Sequence, residues 1–256
     1  MVNNKSLLGR NIIITGASQG LGAYCAQQMS KKGANIALLS RNKENLNRVL
    51  NLCDTSKNNI VVPLDITNSI DCEKKINEII NHFDGRIDSV IHSAGGGLGF
   101  RDPLIGFDDF IKLFSTNLAG QSLINKFVVP CMRNNNSGNI VHVSSVASRE
   151  AIGSVGYNTV KASINAYVRS LGNELANTGV IITGIIPGAF IANNNAMERF
   201  QNTNLKGFND YENRLPRGKV ADVSEVYSLI EFLTSRSASM MTGCMVPIDA
   251  GEGKAI

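Results

Sequence analysis

Short runs of apolar, mostly β-branched residues recur along the chain, separated by longer segments whose apolar positions fall at helical spacing. The runs are Asn11–Thr15, Asn35–Ser40, Ile60–Leu64, Ser89–His92, Ile140–Val143, Val180–Ile186 and Met245–Ile248, and each is read as a strand. Between them, Ile76, Ile79, Ile80 and Phe83 mark one helix face, and Val226, Leu229, Ile230 and Leu233 another. Phe107 to Met132 reads as one long amphipathic segment. Ile12–Ile14 and Ile181–Ile186 are apolar without alternation, the pattern of strands buried on both faces. Strands alternating with helices predict βαβ crossovers, hence an α/β fold: a doubly wound, mostly parallel seven-stranded sheet with helices on both faces. The Asn runs 134–136 and 193–195 read as surface turns.

Composition agrees with one globular unit. The 256 residues are 43% hydrophobic and 18% charged, with no repeat or linker, so residues 1–256 are expected to form a single catalytic domain. Lys+Arg 25 against Asp+Glu 21 leaves a net charge of only +4, and no basic cluster marks a nucleic-acid surface. Cys25, Cys53, Cys72, Cys131 and Cys244 form no C-x-x-C, which suggests neither zinc nor disulfides and fits a reduced, cytoplasmic setting. The N-terminal residues lack a signal-peptide apolar core. The most apolar stretch, Gly179 to Ala192, contains Pro187 and falls short of the roughly 18 residues of a membrane span, so no membrane partner is expected. His82 and His142 read as structural, and no cluster has metal-site spacing.

Candidate chemistry begins with Thr15-Gly16-Ala17-Ser18-Gln19-Gly20-Leu21-Gly22, which follows the first strand and opens a helix. Such glycines let the backbone approach a diphosphate, whose charge sits at the helix N-terminus. The spacing G-x-x-x-G-x-G resembles the single-domain branch of the short-chain dehydrogenase/reductase family, which implies a Rossmann-like fold and a nicotinamide cofactor. The second strand ends Ser40-Arg41, without the carboxylate that accepts ribose hydroxyls in NAD sites. Arg41 can bond a 2′-phosphate, with Ser40 beside it, so NADP(H) is expected in preference to NAD(H). The resemblance implies that Asp65 meets the adenine amino group with help from the Ile66 backbone; Asp65 reads equally as a turn or capping residue. His92-Ser93-Ala94-Gly95 stands where the family has Asn-Asn-Ala-Gly, keeping the backbone approach of Ser93, Ala94 and Gly95 to the cofactor ribose. Pro187-Gly188 matches the turn beside the nicotinamide. The family's threonine after it is Ala192 here, so backbone groups of Phe190 and Ile191 are expected to take over.

Tyr157-x-x-x-Lys161 puts a phenol and an ammonium on one helix face. Reducing a carbonyl needs a proton donor at the oxygen, and a tyrosine serves when a nearby positive charge stabilises its phenolate. Ser144-Ser145 ends the fifth strand, where a hydroxyl can steady developing oxyanion charge. Counting from Gly138 along the strand selects Ser145, whereas counting back from Tyr157 by the family's interval selects Ser144. The strand is the firmer anchor, and Ser145 is chosen. The resemblance adds Asn117, a relay residue that perturbs its helix, and completes the tetrad Asn117, Ser145, Tyr157 and Lys161. It implies hydride transfer between NADP(H) and a small-molecule carbonyl or secondary alcohol, in a homodimer or homotetramer. The expected substrate loop is 193–215, with Met197, Phe200, Phe208 and Tyr211 facing either ligand or core. A 3-oxoacyl-carrier-protein reductase is the alternative, although Asn136 and Thr178 occupy positions where such enzymes present arginine. A non-catalytic NADP-binding sensor or scaffold is a further one.

Overall fold

The computed structural model describes residues 6–255. Strands β1 (Asn11–Thr15), β2 (Asn35–Ser40), β3 (Ile60–Pro63), β4 (Ser89–His92), β5 (Gly138–Val143) and β6 (Val180–Pro187) follow the predicted runs to within two residues. Beyond them come a two-residue pair, β7 (Phe190–Ile191) and β8 (Ala221–Asp222), and then β9 (Met245–Ile248). The main sheet has seven strands, all parallel, in the order β3-β2-β1-β4-β5-β6-β9. Strand β1 thus has β2 on one side and β4 on the other, which makes the gap beyond β1 and β4 the point where the order reverses. Ligands of doubly wound sheets settle in that crevice, at the carboxyl ends of the strands.

Alternate side chains of each strand enter two separate cores. Ile12, Ile14, Leu38, Val141 and Ile185 pack beneath α1 (Gly20–Lys31), α2 (Lys43–Leu50) and, far down the chain, α9 (Val223–Leu233). Ile13, Leu39, Val90, Ile140 and Ile182 pack on the opposite face beneath α3 (Ser69–His82), α5 (Gly120–Asn134) and α6 (Val155–Glu174). Burial on both sides is why the strands carry apolar residues without alternation.

The predicted helix over Phe107 to Met132 is instead α4 (Phe107–Phe114), a π-helical turn (Ser115–Ala119) and α5. Periodicity alone carries no trace of the wider turn, which is set by the contacts of Asn117 described below. The expected loop 193–215 contains two short helices, α7 (Ala196–Thr203) and α8 (Leu205–Glu212), capped by the side chains of Asn195 and Asn204. The run 193–195 forms a turn, whereas Asn134 ends α5 and the turn takes only Asn135 and Asn136; Asn136 and Asn194 have φ of 46° and 56°, a left-handed conformation that asparagine tolerates well. No helix among the described residues is long and apolar enough to cross a membrane.

Candidate active site

The parallel register brings the ends of four strands together, pairing Thr15 with His92, His92 with His142, and Val143 with Ile185. Everything that follows these residues meets in the crevice. Gly16, with φ of 68°, lies so close to the next loop that a Cβ would come within 2.8 Å of the Ala94 nitrogen. A Cβ on Gly22 would lie 2.5 Å from the Gly16 carbonyl oxygen. Both positions therefore demand glycine, and the turn is packed tightly over the start of α1. Gln19 is the N-cap of α1 but makes no side-chain cap, so the helix end keeps amides for a ligand. Gly20 nevertheless donates its amide to the Asn193 carbonyl at 2.8 Å. Asn194 Nδ2 donates to Gln19 Oε1 at 2.6 Å. Ser18 is half-buried at the same turn, and Leu21 is buried.

At the end of β2, Ser40 Oγ is buried with no hydrogen-bond partner, and Arg41 is exposed and forms no ion pair among the described residues. Such a hydroxyl, orphaned beside an uncommitted guanidinium, suits an anionic ligand group; with the glycine cradle it gives a donor set that fits a dinucleotide. Asp65 is committed to a turn, its Oδ1 accepting from the Thr67 amide at 3.0 Å and the Thr67 hydroxyl at 2.8 Å. Ile66 is buried, and its carbonyl would lie 2.6 Å from a Cβ at Gly120.

The Ser93–Gly97 loop is held from three sides. Ala94 donates its amide to Thr15 Oγ1 at 3.1 Å and accepts at its carbonyl from Gln121 Nε2 at 2.7 Å. The Gly96 amide donates to Asn117 Oδ1 at 2.9 Å, while Asn117 Nδ2 donates to the Gly96 carbonyl at 3.0 Å and to the Leu113 carbonyl at 2.9 Å. Asn117 is fully buried in the π turn, and its amide is spent on backbone, a commitment that a mid-helix asparagine needs. Gly95 fits where a Cβ would lie 2.6 Å from Asn117 Oδ1 and 3.6 Å from Lys161 Nζ.

Lys161, 5% exposed, donates from Nζ to the Val143 carbonyl at 2.9 Å and stands 5.7 Å from the centroid of the Tyr157 ring. Burial pushes its ammonium down to about 8. The two serines separate cleanly. Ser144 is buried, its hydroxyl 2.8 Å from Asn165 Oδ1 and 3.1 Å from the Lys161 carbonyl, so it ties the strand end to α6. Ser145 turns the other way: it accepts from the Ala147 amide at 3.1 Å and lies close enough to the Tyr157 phenol to pull its pKa down. Successive residues of an extended strand end point to opposite faces, so only one of the pair can meet Tyr157. The phenol itself departs from expectation. Burial raises its pKa, opposed by Ser145, so the phenol stands above the ordinary tyrosine value.

Pro187-Gly188 closes the crevice on the β6 side. The backbone of Phe190 and Ile191 pairs with Ala221 and Asp222, and the Phe190 carbonyl accepts from Asn195 Nδ2 at 2.6 Å, so these groups are partly committed. Ala192 is buried. Phe208 is buried against Phe200, whereas Met197 and Tyr211 keep partial exposure. One residue escaped the sequence reading: Glu252 accepts from the Ala189 amide at 2.6 Å and from the Tyr211 hydroxyl at 2.5 Å, joining the turn after β6 to α8. Burial and this carboxylate together push the Tyr211 phenol up. A lone Glu beyond a Gly turn gives no such signal.

A family profile described as enoyl-(acyl carrier protein) reductase matches residues 16–252. An uncharacterized oxidoreductase of Staphylococcus epidermidis is 33% identical over 177 residues, 69% of this chain and 76% of its own. Two solved structures share the fold with a TM-score of 0.88 at 22% identity. One is an actinorhodin polyketide ketoreductase with NADPH, with 96% of this chain and 98% of that one covered. The other is a 7α-hydroxysteroid dehydrogenase complexed with NADH and 7-oxo glycochenodeoxycholic acid, with 99% and 98% covered.

Proposed function

The chain belongs to the short-chain dehydrogenase/reductase family and is an NAD(P)-dependent enzyme, and from that premise we propose that it moves hydride from NADPH to a carbonyl, or from the secondary alcohol back to NADP+, through Tyr157, Lys161, Ser145 and Asn117. The observation that carries this reading is the buried Lys161 ammonium 5.7 Å from the centroid of the Tyr157 ring, with the Ser145 hydroxyl close to the same phenol. The cofactor, when bound, supplies the hydride or takes it up.

The chain's own groups do the rest. In reduction, Ser145 donates to the substrate oxygen and steadies its growing negative charge. Tyr157, kept protonated at neutral pH by its burial, gives its proton to that oxygen. Lys161 stabilises the phenolate left behind. Asn117 holds the Gly96 peptide and the wide helical turn, keeping the route to the lysine open at its backbone. Oxidation runs these steps backward.

The preference for NADPH is supported by the orphaned Ser40 hydroxyl, the uncommitted Arg41 and the lack of a carboxylate at the end of β2. Exposed Phe107, 79% accessible, with Leu104, Ile152 and Val155, supports assembly into a homodimer or homotetramer. A panel of ketones and aldehydes with NADPH oxidation followed optically tests the reading. Tyr157→Phe should lower kcat by about 10²–10⁴ with cofactor binding retained, and full turnover in that variant would refute the mechanism. Arg41→Ala should raise KM for NADPH about tenfold or more and leave NADH little changed; an enzyme that already prefers NADH overturns the cofactor assignment.

A further inference from the structure

His92 and His142 are register partners on β4 and β5, both fully buried, with their rings stacked at 4.5 Å. Gln121 and Asn125 of α5 are buried around them. Three contacts join these side chains, and a fourth ties them to the backbone. His92 Nε2 lies 2.8 Å from Asn125 Oδ1, and Asn125 Nδ2 lies 3.2 Å from His142 Nε2. His142 Nδ1 lies 2.8 Å from Gln121 Oε1, and Gln121 Nε2 donates to the Ala94 carbonyl at 2.7 Å.

The last bond orients all the others. A carbonyl only accepts, so Gln121 gives its NH₂ to Ala94 and turns Oε1 to His142. His142 must then carry its proton on Nδ1, leaving Nε2 to accept from Asn125. Asn125 in turn presents Oδ1 to His92, which must be protonated on Nε2. Its second hydrogen is taken up by the Tyr167 hydroxyl, 3.1 Å away. The two stacked imidazoles therefore hold opposite tautomers. His92 Nδ1, the free end of the chain, is buried without a partner, as an unprotonated nitrogen at the start of a one-way series would be.

We propose that His92, Asn125, His142 and Gln121 are positioning residues acting as one unidirectional hydrogen-bond chain, begun at His92 and closed on Ala94, that fixes the peptide on which the cofactor ribose and Lys161 are set. This rests on the cofactor-binding reading of Ala94 and Gly95 given above. Bonds aligned head to tail in a buried, low-dielectric setting strengthen one another. The Ala94 peptide is pinned on its other side by Thr15, and the next residue fits against Asn117 and Lys161, so a displaced Ala94 carbonyl would disturb all three.

The test begins with the full chain labelled with ¹⁵N-histidine, observed by long-range ¹H–¹⁵N correlation near neutral pH, with exposed His82 as the internal reference. The expected spectrum has one buried ring protonated on Nδ1 and one on Nε2, both neutral. Two buried rings of the same tautomer, or either one charged, would overturn the proposal. The second arm is Gln121→Met, which keeps the length of the side chain and removes both of its bonds. The dissociation constants of NADPH and NADH should each rise by about 3–10-fold, with a smaller fall in kcat at saturating cofactor. Unchanged constants, a rise confined to NADPH, or a fall in kcat alone would each count against it. Tyr167→Phe, which removes only the side branch, should leave both constants as they are; a matching rise would mean general loosening and overturn the chain's specific role. Should Gln121→Met fail to fold, the wild-type tautomers still decide. A chain that reduces no carbonyl would sink the proposed function, yet leave the tautomers and the cofactor constants as independent readouts.

Discussion

The Gly20 amide, at the first position of α1, donates to the carbonyl of Asn193 at 2.8 Å, so the segment leading into α7 lies directly on the glycine turn. The helix end offered to a diphosphate and the loop offered to a substrate are therefore in direct contact. Gln19→Ala removes the second tie, from Asn194 Nδ2, whose loss is worth about 0.5–1.5 kcal/mol. Limited proteolysis between residues 193 and 215 should accelerate about 3–10-fold, and added NADPH should slow it in the native chain. Equal cleavage rates in all conditions would show that loop and turn are independent.

The neighbouring serines should fail differently. Ser144→Ala leaves Asn165 Oδ1 without its donor and should cost about 1–3 kcal/mol of stability, seen as a lower Tm, with kcat within a few-fold of native. Ser145→Ala should lower kcat by about 10²–10³ and leave Tm close to native. A larger loss of kcat in the Ser144 variant would reverse the assignment.

Acid should weaken the fold through the buried imidazoles. Burial lowers His92 from 6.5 to about 4, so between these values the unfolded chain binds a proton that the folded chain refuses. Stability is then full above about pH 6.5 and falls as pH drops, by about 2 kcal/mol at pH 5 from His92 alone. His142, shifted the same way, adds to the slope. Urea unfolding at a series of pH values measures it, and a flat profile between pH 5 and 7 would contradict two neutral buried rings. At the other end, the Lys161 ammonium, lowered to about 8, is lost above that value in the free enzyme. The profile of kcat/KM for the cofactor should therefore fall beyond about pH 8, whereas an unperturbed lysine would hold it level to about 10.

Glu252 joins the Ala189 amide to Tyr211 on α8. Glu252→Gln weakens both bonds by removing the charge that assists them. The KM of the carbonyl substrate should rise about 5–10-fold with kcat little changed, equivalent to roughly 1–1.4 kcal/mol of lost binding, and Tyr211→Phe should act alike. A collapse of kcat at constant KM would instead place the carboxylate in the chemistry.

Legibility in the sequence tracked how local each feature is. Strands β1, β2 and β4 to β6 could be read because burial on both faces leaves continuous apolar runs, the partly exposed edge strands β3 and β9 as shorter apolar runs, and the glycine turn because sterics permit nothing larger at Gly16 and Gly22. The pairing of Tyr157 with Lys161 was visible as helical spacing. The choice between Ser144 and Ser145 had to rest on counting, since which way each hydroxyl points depends on the strand end. Ribbon β7–β8 is too short for any periodicity, and its halves lie far apart in the chain. Glu252 and the chain from His92 to Gln121 are assembled from distant segments, with no spacing rule to announce them. His92 could be read only as a departure from a family pattern.

The π turn at Ser115–Ala119 gives the long helix one more residue in that turn than a regular α-helix would hold. No exchange of one side chain for another takes that residue out. Removing one of the five would close that turn to the ordinary pitch, leaving the faces of α4 and α5 in register but taking away the widened backbone from which Asn117 holds the Gly96 peptide. The segment is thus tolerant in spelling and intolerant in length: what the site requires there is a count of residues before it is any particular one.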